Sequence, residues 1–176
     1  MILQILLSFI LPLFFQNPSY EANDSSISYS MRHKLHSWEG VTKDFKVATK
    51  WNEQKKEIEQ ISIVVGVASF NSGLSSRDSH MLEVLDALTY PRILFSSSSV
   101  KYTPEEIIVK GKLQFHGIEL MIEATVKQEK IKNKWIFSGR LPILLEDYKV
   151  ERPSLLFVKV DNQVLINFQV SYKDSK

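Results

Sequence analysis

The sequence predicts an all-β fold: an eight-stranded antiparallel barrel with an apolar interior and one short helix capping an end. Three observations carry this reading. Apolar residues recur with a period of two along most of the chain, the segments showing that period are joined by short polar connections, and a single segment switches to helical spacing.

The period of two is clearest in the second half. Ile118, Leu120, Ile122, Ala124 and Val126 alternate with Glu119, Met121, Glu123, Thr125 and Lys127. Ile107, Val109, Gly111, Leu113 and Phe115 form a second stripe. Trp135, Phe137, Gly139, Leu141 and Ile143 form a third, and Val164, Ile166, Phe168 and Val170 a fourth. Such alternation marks strands with one dry face and one wet face. Four earlier strands are expected at residues 27–34, 44–51, 58–68 and 92–102.

The connections are polar. Residues 52–57 and 128–133 read as charge-rich hairpin loops, so Lys127, Lys130, Lys132 and Lys134 are solvated lysines. Residues 103–105 carry the proline of a turn, and His116-Gly117 is a tight turn with Gly117 free to take a positive φ. Residues 75–88, SSRDSHMLEVLDAL, break the pattern: Met81, Leu85 and Leu88 fall at i, i+4 and i+7 of a helix. Ser75 and Asp78 have capping-box spacing, and Tyr90-Pro91 ends the helix.

Eight one-sided strands bury their apolar face in a sandwich or in a closed barrel, and closure removes exposed edges. Eight strands enclose room for side chains or for one small ligand. Gly111 and Gly139, on apolar faces, leave space inside.

Composition narrows the class. A chain of 176 residues with 44% hydrophobic and 24% charged residues suits one globular domain. A net charge of +2 provides no argument for nucleic acid or an anionic membrane surface. With no cysteine, there is no disulfide framework, thiolate metal site, cysteine nucleophile or lipidated N-terminal cysteine. Residues 2–15, ILQILLSFILPLFF, carry no charge and have the length of a signal-peptide core. Residues 1–22 are therefore expected to be a signal peptide and residues 23–176 the barrel domain.

Candidate chemistry is sparse. His33-x-x-His36 is not spaced to converge on one strand and no carboxylate motif joins it, so no metal and no cofactor are expected. Arg77-Asp78-x-His80 sets a cation, an anion and an imidazole in one helical turn. No Gly-x-Ser-x-Gly elbow accompanies it, and Ser96–Ser99 lie in a strand. The triplet reads equally as a network pinning the helix over the barrel and as a polar mouth orienting a head group. Arg152 faces an anion or pairs with Glu151 or Asp147. No catalytic residue, and hence no enzyme, is expected.

These stretches together resemble the YceI-like family of lipocalin-like, polyisoprenoid-binding proteins. The resemblance rests on Arg77-Asp78-Ser79-His80-Met81-Leu82 followed by Tyr90-Pro91-Arg92-Ile93-Leu94-Phe95-Ser96-Ser97. Gly111-Lys112-Leu113-Gln114-Phe115-His116-Gly117 is similar to the family's Gly-x-Leu-x-x-x-Gly hairpin. Met31-Arg32-His33-Lys34-Leu35-His36 and Glu151-Arg152-Pro153-Ser154-Leu155 look like a shorter branch. The first strand departs from the family's Asp-x-x-His-Ser start, having Tyr29-Ser30-Met31-Arg32-His33 instead.

The resemblance implies an elongated cavity for an isoprenoid quinone, an isoprenyl phosphate or a fatty-acid-like lipid, in a periplasmic or secreted carrier or reservoir. The small net charge leaves no nucleic-acid partner expected, and a weak homodimer is the one self-association considered. Ile63, Val65, Phe95, Leu113, Phe115, Leu120, Ile122, Phe137, Ile166 and Phe168 are the expected cavity lining. His33, His36, Arg77, Asp78, His80 and His116 are the expected polar mouth. The alternative is a structural or interaction barrel filled by its own side chains.

Overall fold

The structure is a computed structural model that describes residues 18–155 and 157–174. The apolar segment 2–15 lies outside the described residues. The described chain folds in the order β1 (Ser19–Tyr20), β2 (Ser26–His33), β3 (His36–Thr42), β4 (Phe45–Asn52), β5 (Glu57–Gly66), α1 (Ser75–Val84), β6 (Arg92–Tyr102), β7 (Ile107–Phe115), β8 (Ile118–Ile131), β9 (Lys134–Leu144), β10 (Ser154–Leu155), β11 (Val158–Lys159) and β12 (Gln163–Lys173). One curled antiparallel sheet runs β3-β2-β12-β9-β8-β7-β6-β5-β4, with β1 paired to β12 and β10–β11 a separate hairpin. No described helix is long and apolar enough to cross a membrane.

Alternation sets the register. On β7, Ile107, Val109, Gly111, Leu113 and Phe115 are buried while Lys110, Lys112 and Gln114 are exposed. A one-residue slip would turn all five buried positions outward. The His116-Gly117 turn, with φ of 49° and 75°, keeps β8 in step, so that Leu113 faces Leu120 and Phe115 faces Ile118. On the outer face Lys110 meets Glu123 at 2.8 Å and Lys112 meets Glu119 at 2.7 Å. These exposed pairs add little stability.

The two glycines do not leave space. A Cβ on Gly139 would lie 2.5 Å from the Phe168 ring, and one on Gly111 would lie 2.7 Å from the Phe95 ring. Each glycine lets an aromatic ring lie across its strand, so the rings occupy what a side chain there would fill.

The sheet's edge strands, β3 and β4, share no ladder. Side chains close the seam instead. Tyr20 meets Phe45 at 5.9 Å between ring centroids, Trp51 meets Trp135 at 6.3 Å, and the Thr49 hydroxyl is hydrogen-bonded to that of Tyr172. Thr42 Oγ1 donates to Ser69 Oγ at 2.9 Å. A second parting lies between β5 and β6, whose ladder covers only Ser62–Gly66 against Arg92–Ser96. Beyond it Ser97 Oγ accepts from Ile61 N–H at 2.9 Å and the Tyr102 hydroxyl from Ile58 N–H at 2.7 Å. Both amides are thereby satisfied where the strands diverge.

Several local expectations are corrected. β3 was not expected: its burial rests on Trp38, Gly40 and Thr42, with no run of alternating aliphatics to announce it. Gly40 sits under the Tyr29 ring, 2.3 Å from where a Cβ would be. Residues 128–131, expected in a loop, extend β8, because Lys127–Ile131 pair with Lys134–Ser138 and leave Lys132-Asn133 as the turn. The helix ends at Val84, because Asp86 takes a φ of 42°, and Leu88 is left 99% exposed. Ser75 makes no capping bond: Leu74 is the N-cap, and Asp78 instead accepts from Ser72 N–H at 3.1 Å. Apart from these corrections, β1 pairs with β12 through Ser19–Lys173 and Tyr20–Tyr172, and the expected signal peptide 1–22 includes it.

Strand directions give the barrel two ends. The β2–β3 and β7–β8 turns, α1 and the β9-to-β12 connection gather at one end, the mouth. The β4–β5, β6–β7 and β8–β9 turns gather at the other, the base.

Candidate ligand cavity

A cavity of about 280 Å³ runs inside the sheet. Its wall is built by the inward residues of β2, β5, β6, β7, β8, β9 and β12, by Trp38 of β3 and by one side of α1. The period of two places them there: on β12, for example, Val164, Ile166, Phe168, Val170 and Tyr172 all face in. The barrel's own side chains do not fill it.

Of the expected lining, Ile63, Val65, Phe95, Leu113, Phe115, Ile122, Phe137, Ile166 and Phe168 lie on this wall. Leu120 does not; it is half-buried and packs against the surrounding core. Sequence reasoning missed Met31, Tyr102, Tyr172 and Trp38, which also line the cavity. Met31 and Tyr172 were within reach, since each continues an inward phase, from Ile27 and Tyr29 and from Val170. Trp38 lies on the strand that was not recognised.

The base of the cavity carries phenols. Tyr102 and Tyr172 line it. Burial pushes each hydroxyl up to about 12, against the opposing hydrogen bonds from Ile58 N–H and Thr49.

The mouth carries the mixed polar groups. Arg77 and His80 project from α1 onto the cavity lining, beside Met81 and Leu85. His80 is 59% exposed and marks the rim. The Arg77 guanidinium lies 5.4 Å from the centroid of the Trp38 ring, and the tilted His36 ring lies 5.3 Å from the same indole. His36 is exposed and off the lining. Asp78 turns back to Ser72 and braces the start of α1 rather than the cavity. It also raises Tyr29, though burial of that phenol is the larger cause.

Two of the four histidines are structural. His33 is 3% exposed, accepts from Leu35 N–H at Nδ1 and contacts the Val158 carbonyl through Nε2 at 3.1 Å. That geometry assigns its proton to Nε2. His116 sits on its turn, with Nδ1 3.0 Å from the Tyr148 carbonyl and its ring 4.8 Å from Tyr90, away from the cavity lining. His33 and His36 do converge, contrary to expectation: the two-residue turn makes them cross-strand partners with rings 5.8 Å apart. Among the described residues, no three His, Asp or Glu are placed to hold a metal ion. Arg152 pairs with Glu146 at 3.5 Å rather than with Glu151 or Asp147.

Known proteins share this architecture. A structure of BcnA from Burkholderia cenocepacia superimposes with a TM-score of 0.77 at 23% identity, covering 87% of this chain and 99% of that one. A Campylobacter jejuni YceI protein gives 0.70 at 18% identity, covering 82% of this chain and 90% of its own. A polyisoprenoid binding domain from Saccharophagus degradans, implicated in plant cell wall breakdown, gives 0.69 at 16% identity, covering 89% and 98%. At these identities the likeness establishes the fold. Curated relatives named Protein YceI, from Salmonella newport and Escherichia coli O157:H7, are 25% identical over 101 residues, or 56% of this chain. The chain spans about half the length of those relatives, 53%. The model of the YceI-like domain matches residues 19–172, and the chain belongs to the YceI-like family.

Proposed function

We propose that this protein binds a long-chain amphiphile, an isoprenoid quinone, isoprenyl phosphate or fatty-acid-like lipid, and serves as its carrier or reservoir. The observation that carries this is the cavity: about 280 Å³, walled by aliphatic and aromatic side chains, with Arg77 and His80 at its rim. A 150 Å³ apolar cavity holds one benzene, so this one holds on the order of ten carbons, about two isoprene units. At roughly 0.8 kcal/mol per methylene, ten carbons contribute about 8 kcal/mol before the costs of association. Micromolar binding therefore needs more chain, or a head group held by Arg77. A longer chain fits if α1, which has no buried residue, is displaced.

The binding reading includes export. The uncharged segment 2–15 would be the signal core, and a cut before Ser19 would keep β1 on the sheet whereas a cut after Ala22 would remove it. Mass spectrometry of the mature N-terminus tests this.

Native mass spectrometry after gentle extraction tests the ligand: a lipid-like mass should accompany the protein. Ala124 is on the wall, and Ala124→Phe should expel that mass while the fold persists by circular dichroism. A protein that stays empty and captures no quinone, isoprenyl phosphate or fatty acid would overturn the proposal.

A further inference from the structure

We infer that the two hairpin tips beside the mouth, at Leu35 and Phe157, form a docking surface for an anionic lipid bilayer. This goes beyond ligand binding, since the surface stands whether or not the cavity is filled.

The first observation is a side chain that the fold itself does not use. Phe157 is fully exposed and its backbone lies in the left-handed region, with a φ of 64°. Glycine and asparagine adopt that conformation readily; a bulky apolar residue does not. The other described non-glycine residues at positive φ are Lys56, Asp86, His116, Lys132 and Lys149, all polar turn residues. Phe157 has a strained backbone with no burial to offset it, which points to a role outside the fold.

The second observation is that Phe157 has a companion. Leu35, at the tip of the β2–β3 hairpin, is 66% exposed. Asp161 N–H donates to the Arg32 carbonyl at 2.9 Å, and buried His33 contacts the Val158 carbonyl at 3.1 Å. These bonds tie the β2–β3 and β10–β11 hairpins together, so the two apolar tips are presented side by side.

The third observation is the charge around them. Arg32, Lys34 and Lys159 are exposed within three residues of the two tips, and the exposed acids of these segments, Glu39 and Asp161, each stand four residues away. The whole-chain excess of +2 conceals this clustering. Single apolar prongs rimmed by cations match an interface in which side chains enter the headgroup boundary and lysines meet anionic lipid. A protein partner would need a contiguous apolar core within about 800 Å² per side, which two side chains, Leu35 and Phe157, do not make. Docking here would also face the cavity to the bilayer, since Met31, Trp38 and Pro153 on these segments line the cavity.

The absence of cysteine makes a direct test clean. Phe157→Cys carrying an environment-sensitive fluorophore should shift to the blue on phosphatidylglycerol vesicles. Met121→Cys, 59% exposed on the barrel wall, should not. In vesicle flotation, Leu35→Ser and Phe157→Ser should each weaken binding about tenfold. Lys34→Gln and Lys159→Gln should each weaken it about fivefold on anionic vesicles only. Capture of a prenyl chain from solution should stay unchanged in all four, which separates failure of docking from failure of the cavity. An unshifted label, or flotation of the Leu35→Ser/Phe157→Ser protein equal to the parent, overturns the inference.

Discussion

At the base of the barrel, Phe137 packs 5.8 Å from Tyr172 and 6.5 Å from Trp51, with Thr49 hydrogen-bonded to Tyr172 across the seam. At the mouth, α1 buries no residue, and its contact with β3 is a guanidinium over the Trp38 ring. The same sheet thus ends in interlocked rings on one side and in a loosely seated helix on the other. Few buried apolar contacts mean a low cost of local opening, so exchange with the cavity belongs at the mouth and resistance to unfolding at the base.

The largest effect should come from the base. Phe137, 4% exposed, should cost about 3–5 kcal/mol when replaced by alanine, read by urea denaturation. Met81→Ala, at the half-buried mouth, should cost about 1 kcal/mol or less. Equal costs would erase the distinction.

Gly139→Ala comes next, at about 1–3 kcal/mol, because its Cβ would lie 2.5 Å from the Phe168 ring and 2.6 Å from the Thr125 carbonyl oxygen. Phe168→Leu in that background should recover only part, since the carbonyl cannot withdraw. Full recovery would show that the ring alone demands glycine.

Alkaline titration reads the buried phenols, of which Tyr102 and Tyr172 at the base are displaced furthest. Tyr172 and Tyr102 stand near 12 in the fold against an ordinary 10.0. Below pH 10 both states hold the proton and stability is unaffected. Between about pH 10 and 12 the unfolded chain loses it first, so stability falls as pH rises, and the loss is complete above about 12. Tyr172 should account for on the order of 2 kcal/mol. Tyr172→Phe should flatten the decline; an unchanged decline would remove the buried phenol as its cause.

The smallest effect should be on stability at Arg77. Arg77→Ala should change unfolding by about 0.5–1 kcal/mol or less, through the lost contact with Trp38. Capture of a prenyl phosphate should nevertheless weaken against capture of a neutral prenol of equal length. Equal weakening of both would make Arg77 a packing residue only.

The wall was legible because it obeys a local rule. Ile107–Phe115 and Ile118–Val126 announce their inward faces by alternation, which needs no knowledge of the partner strand. The mouth obeys no such rule. The role of His33 as a clamp depends on Val158, 125 residues away, and that of Arg77 on Trp38 of an unexpected strand. Asp78 looked like half of a capping box, yet a backbone amide at Ser72 claimed it.

By itself, the sequence determined the all-β class, most strands and the apolar lining, because side-chain facing follows from a two-residue period within each strand. Tertiary structure alone decided that β3 and β4 meet without a ladder, that Phe95 and Phe168 fill the spaces over Gly111 and Gly139, and that the tips of two hairpins stand together. Those outcomes depend on contacts between segments far apart in the chain, which become neighbours only when the sheet curls.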